Sequence, residues 1–127
     1  MDAQLKAKWV AALRSGEYDQ ARGVLHNRDD GGFCCLGVLC KVMGAAFGPG
    51  SEEREDREYG PYTEEYDYVP VLNGRVISNH EDDELSPSLC KEIGIPDQGI
   101  LIHMNDGSDD ETPKSFAEIA DYIEREL

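Results

Sequence analysis

The run Phe33-Cys34-Cys35-Leu36-Gly37-Val38-Leu39-Cys40-Lys41-Val42-Met43 is apolar on nearly every side. A segment of that kind is buried all round, and its length of about ten residues, closed by Gly44, predicts a central helix rather than a strand. The rest of the chain is then expected to pack around it. Gly37 within a helix costs about 1 kcal/mol against Ala, which implies that a neighbouring element comes close at that point.

Upstream, Leu5, Trp9, Ala12 and Leu13 form one apolar stripe at helical spacing, with Asp2 before it and Gly16 after Arg14, and predict a first helix. Tyr18 to Leu25 has a mixed pattern that leaves helix and strand open. The turn-rich Asn27-Arg28-Asp29-Asp30-Gly31-Gly32 behind it favours a strand leading into that turn.

Downstream, residues 48–67 hold too little apolar content to support a core and are expected as a surface insertion. Tyr68 to Ser78 carries Asn73-Gly74 between two short β-prone runs, which predicts a pair of antiparallel strands. Glu81-Asp82-Asp83-Glu84 reads as a solvated turn. Ser86 as N-cap, Pro87 as first residue and Gly94 as stop mark a short helix. Ile100 to Met104, behind Pro96 and Gly99, reads as a short strand ended by Asn105-Asp106-Gly107. Ser115-Phe116-Ala117-Glu118 is a capping box, and Phe116, Ile119, Ala120, Ile123 and Leu127 continue it as an amphipathic helix. The elements mix helices with one hairpin instead of alternating, so the expectation is a single α+β domain over residues 1–127, about four helices packed with a short antiparallel sheet.

No stretch approaches the roughly 20 apolar residues that span a bilayer, and the start lacks the apolar run of a secretory signal, so a cytoplasmic protein is expected. The four cysteines (Cys34, Cys35, Cys40 and Cys90) show neither C-x-x-C nor zinc spacing with a His pair and read as reduced core thiols. The formal charge of −15 is uneven: residues 1–50 carry six basic and five acidic groups, residues 51–127 six basic and 22 acidic. Phosphate backbones would be repelled by the second half, which disfavours conventional nucleic-acid binding.

Guanidinium groups offer paired planar donors to phosphate or carboxylate, so Arg14, Arg22 and Arg28 are weighed as an anion site, with Gly23 permitting close approach at Arg22. The bland alternative is surface pairing with the many carboxylates. Asn105 and Asp106 are either functional loop residues or ordinary turn formers. Cys35 as a nucleophile with His26 or His103 conflicts with its apolar surroundings, and His26, His80 and His103 share no metal-binding spacing, so no catalytic set, metal or cofactor is assigned. Tyr59, Tyr62, Tyr66 and Tyr68 lie among eight carboxylates (Glu52, Glu53, Glu55, Asp56, Glu58, Glu64, Glu65 and Asp67), a combination that docks on a basic protein patch or imitates DNA phosphates, unless it is simply a solvated, mobile insertion.

The segments Trp9 to Tyr18, Gln20, Arg22 to Leu25 and Phe33 to Cys40, with Met104-Asn105-Asp106 and Ser115 to Glu124, resemble a family of small proteins encoded by tailed bacteriophages and prophages. The resemblance covers about half of the chain, at its two ends, and residues 45–85 carry no part of it. It implies a phage origin and expression inside a bacterium, and brings no activity, ligand or catalytic residue. The expected role is a non-enzymatic binding protein that sequesters a small anionic, nucleotide-derived host signal in counter-defence, as a homo-oligomer enclosing the ligand. Its ligand-binding set would be Arg14, Tyr18, Gln20, Arg22, Gly23, Asn105 and Asp106. The alternative is an acidic inhibitor or DNA mimic that binds a host protein.

Overall fold

A computed structural model describes residues 1–79 and 83–127. Helix α1 spans Ala3–Arg14, with the Asp2 carboxylate accepting from the Leu5 amide as its cap. Helix α2 spans Cys35–Met43 and ends at Gly44 in the left-handed region. Three strands follow, β1 over Ala46–Asp56, β2 over Gly60–Leu72 and the short β3 over Arg75–Val76, in one antiparallel sheet of order β1-β2-β3. Helices α3 (Pro87–Ile93), α4 (Gln98–Asp106) and α5 (Phe116–Glu126) complete an α+β domain with five helices among the described residues.

The central helix forms as its composition predicts. Every residue of α2 from Cys35 to Cys40 is buried, and α1 and α4 pack directly on it while α5 packs on both of them. Trp9, Leu25, Leu36, Leu39, Leu101, Ile119 and Ile123 close the core around it. A β-carbon placed on Gly37 would stand 1.8 Å from the Leu25 carbonyl oxygen, so the close approach inferred at this glycine is real and its neighbour is the backbone of residue 25. Trp9 completes the contact by donating from Nε1 to the Cys35 carbonyl at 2.9 Å.

Two expected strands are absent. Residues 18–25 run irregularly, joined to Phe33 only by isolated bridges at Gln20 and His26. Gly23 is left-handed at φ 78°, which interrupts any extended run, and the backbone is satisfied instead by Ala21 N to Phe33 O and Phe33 N to Asp19 O, both 2.8 Å. Ile100 to Met104 is helical, not extended: Asp97 caps α4 by accepting from Gly99 N, and Leu101 and Asn105, one turn apart, are the buried residues of the helix. A five-residue apolar run does not separate the two states, and here burial at a spacing of four decides for the helix.

The hairpin turn at Asn73-Gly74 is present, both residues with positive φ, but β3 is only two residues long. The longer partner lies on the other side. Residues 48–67, expected as a surface insertion, hold most of a second and larger hairpin in which β1 pairs with β2 from Ala46↔Val71 out to Asp56↔Gly60, with a register shift between Gly48 and Gly50. The acidic turn expected over residues 81–84 lies in part outside the described residues.

Candidate functional site

The loop over residues 17–34 is shaped by a buried amide. Asn105, in the last turn of α4, is fully buried; its Oδ1 accepts from Gln20 Nε2 at 3.0 Å and from the Cys35 amide at 3.2 Å, and its Nδ2 donates to Ala21 O at 2.8 Å and to Asp106 Oδ1 at 2.9 Å. Gln20 Nε2 also donates to the Lys114 carbonyl at 2.8 Å, and Gly23 N donates to Asp106 Oδ1 at 3.0 Å. Four of the seven expected site residues, Gln20, Gly23, Asn105 and Asp106, therefore meet. They meet as a clamp that ties the loop to α2 and α4, with the Asp106 carboxylate on the amide that an anion at Gly23 would use.

The side chains of the other three take no part in that clamp. Tyr18 stands edge-on to Phe33, ring centroids 5.3 Å apart. Arg14 bridges α1 to α5, donating from Nη1 to Glu124 Oε1 at 2.9 Å and from Nη2 to Asp121; these two acids hold the guanidinium pKa above its ordinary value. It borders an apolar groove of about 400 Å³ along α1, beside Ala3, Ala7, Val10 and Ala11. Arg22 is exposed and makes no hydrogen bond or ion pair among the described residues. Arg28 stacks over the Tyr68 ring, 4.4 Å from its centroid. The arginines do not converge on one cavity.

Burial settles the thiols. Cys34 is pushed up to about 12 and Cys35 well above its ordinary value, both chiefly by desolvation, so neither is a thiolate near neutral pH. Cys35 Sγ donates to the Leu101 carbonyl at 3.7 Å. His103 faces Glu111 Oε2 at 2.9 Å rather than a cysteine, and no cluster of three metal-ligating side chains occurs among the described residues.

Sequence reading missed an aromatic junction where the 17–34 loop meets the large hairpin. His26 stacks on Phe33 with centroids 3.9 Å apart and planes 9° from parallel, Phe47 of β1 meets it edge-on at 5.0 Å, and the Tyr68 hydroxyl of β2 shares a hydrogen bond with its Nδ1. Desolvation lowers the His26 pKa, and nearby Lys41 adds to this; a hydrogen bond with the Gly31 backbone and the charge of Asp30 pull the other way. No local signal marks this junction, because its members come from a loop and two strands.

Beyond it the hairpin becomes an acidic arm. From Glu53 to Thr63 only Arg54 and Gly60 are less than exposed. Glu52 and Glu64 face each other across the ladder, an arrangement that repels. Arg54 offsets it, reaching Glu52 at 2.8 Å, Glu64 at 3.4 Å and the Tyr66 hydroxyl at 3.0 Å. At the tip, Asp56 Oδ1 accepts from the amides of Glu58 (2.7 Å) and Tyr59 (3.0 Å), an Asx turn at which Tyr59 is 85 % exposed; Tyr62, opposite Arg54 on β2, is exposed as well.

No helix among the described residues is long and apolar enough to cross a membrane. No curated protein and no solved structure matches the chain. All of it, residues 1–127, matches one family: the chain belongs to the family described as a domain of unknown function, DUF8296.

Proposed function

We propose that the protein is a phage-encoded, non-enzymatic binding protein that acts in the bacterial cytoplasm by docking its β1–β2 arm onto a basic surface of a host protein. The observation that carries this reading is the arm itself, in which eight carboxylates against Arg54 and Arg57 surround a tyrosine held outward on a fixed turn. Beyond Ser51 and Glu65 the two strands pair only with each other, and this outer part adds little to a core. Their charge matches a surface built to hold nucleic acid, and a pre-set tyrosine loses little conformational freedom when it inserts beside an arginine or lysine.

The test is capture from host lysate with the wild-type chain beside Tyr59→Ala and a Glu53→Lys/Glu55→Lys double variant. A basic protein is expected on the wild type and not on the Glu53→Lys/Glu55→Lys variant, released as salt rises, with Tyr59→Ala weakening its retention about tenfold. Retention that ignores both salt and the arm substitutions refutes the proposal.

A second reading, capture of a small nucleotide-derived anion in counter-defence, draws on Arg22, which is exposed and carries no partner among the described residues. Calorimetry with cyclic and linear nucleotides decides it: heat abolished by Arg22→Ala supports capture, and the absence of heat with every nucleotide ends it.

A further inference from the structure

We infer that the open edge of β1 receives an extended, lysine- or arginine-rich segment of the partner as an added strand of the sheet. The inference rests on the reading of the arm as the binding element. Strand β1 is an edge: β2 covers one side of it, and no strand lies on the other among the described residues. An edge of this kind presents main-chain donors and acceptors in a row, which is what strand addition uses. Pro49 lacks an N–H and Gly50 packs against the Val76 side chain of β3, so the usable ladder runs over residues 51–56, on the order of 20 Å at the usual rise per residue.

The charge on the strand selects the occupant. A second copy of the chain would bring eight carboxylates and two arginines against the same set, placing like charges side by side along the new ladder. A basic segment meets the opposite situation. Glu53 and Glu55 lie on the exposed face of β1, two residues apart, so an incoming strand with cations at every second position sets them beside both acids. On the other face Arg54 is already held by Glu52, Glu64 and the Tyr66 hydroxyl, so neutral side chains suit the alternate positions. The recognised pattern is therefore cation, neutral, cation, neutral, in an extended conformation.

The experiment compares two probes on the full-length protein at low salt by fluorescence anisotropy: an eight-residue alternating Lys-Val peptide, and the same peptide N-methylated at every residue. Methylation keeps the charge and removes the amide donors. The unmethylated peptide is expected to bind at least tenfold more tightly, to slow amide exchange along β1, and to lose that advantage on Glu53→Lys/Glu55→Lys. Equal binding of both peptides overturns strand addition while leaving charge-driven docking in place. No binding of either peptide, with amide exchange showing β1 and β2 still paired, overturns strand addition and the docking role of the arm together.

Discussion

Asn105 makes four hydrogen bonds from one fully buried side chain, and two of its partners, Ala21 O and Cys35 N, are main-chain groups. Replacing Asn105 by Ala strands both in a dry interior, at about 1–3 kcal/mol for each orphaned group. Asn105→Ala is therefore expected to lower unfolding free energy by about 3 kcal/mol in urea denaturation, and a loss under about 1 kcal/mol would show that the loop re-satisfies itself. This role was hidden in the sequence because Asn-Asp-Gly has the composition of a turn, and only the spacing from Leu101 places Asn105 on the buried face of a helix. Gly37 was the opposite case. A glycine inside an otherwise well-formed apolar helix has no local justification, so its presence announced a neighbour, and the neighbour is the Leu25 carbonyl.

At the scale of elements, α1, α3 and α5 were legible because their stop and start signals are local, as in the reciprocal Ser115–Glu118 cap. The loop over residues 17–34 was not, since the groups that anchor it to the body, Asn105, Asp106 and the Lys114 carbonyl, lie 83 to 94 residues away in the chain. The composition of the arm predicts surface but not strand, because Glu and Asp disfavour strands and only cross-strand pairing through Arg54 makes the acidic ladder tolerable. Where arm and loop join, His26 has a lowered pKa in the folded state. A depressed value means that the unfolded chain binds the proton more readily, so the contribution of His26 is present above its ordinary value of 6.5 and is lost as pH falls through the lower folded value. Wild type is accordingly expected to lose more stability than His26→Gln between about pH 7.5 and 5, read from paired thermal melts. Parallel loss in the two proteins would remove His26 from the pH response.

The whole molecule divides by charge and by packing. The helical body holds the large buried side chains Trp9, Leu36, Leu39, Leu101 and Ile123, whereas β1 and β2 contact chiefly each other and β3. Replacing residues 52–64 by a two-residue turn between Ser51 and Glu65, which are register partners, should leave the body folded with its melting temperature lowered by about 4 °C or less. A drop well beyond that in scanning calorimetry would mean the arm supports the core. The fold class was accessible from composition and element order, and so was the exclusion of residues 48–67 from the core, but the pairing of that segment into an arm was not, because nothing in a charge run says whether its backbone is paired.

Trp9 is the only tryptophan; it has no exposed surface, and its indole N–H is engaged by the Cys35 carbonyl. Its fluorescence is therefore an internal beacon for the helical half alone, emitting at short wavelength while that half is intact and blind to changes at the acidic hairpin. Light from the tyrosines, four of which sit on β2 or at the hairpin tip, supplies the complementary channel, so the two regions can be followed separately in one cuvette without attaching a dye.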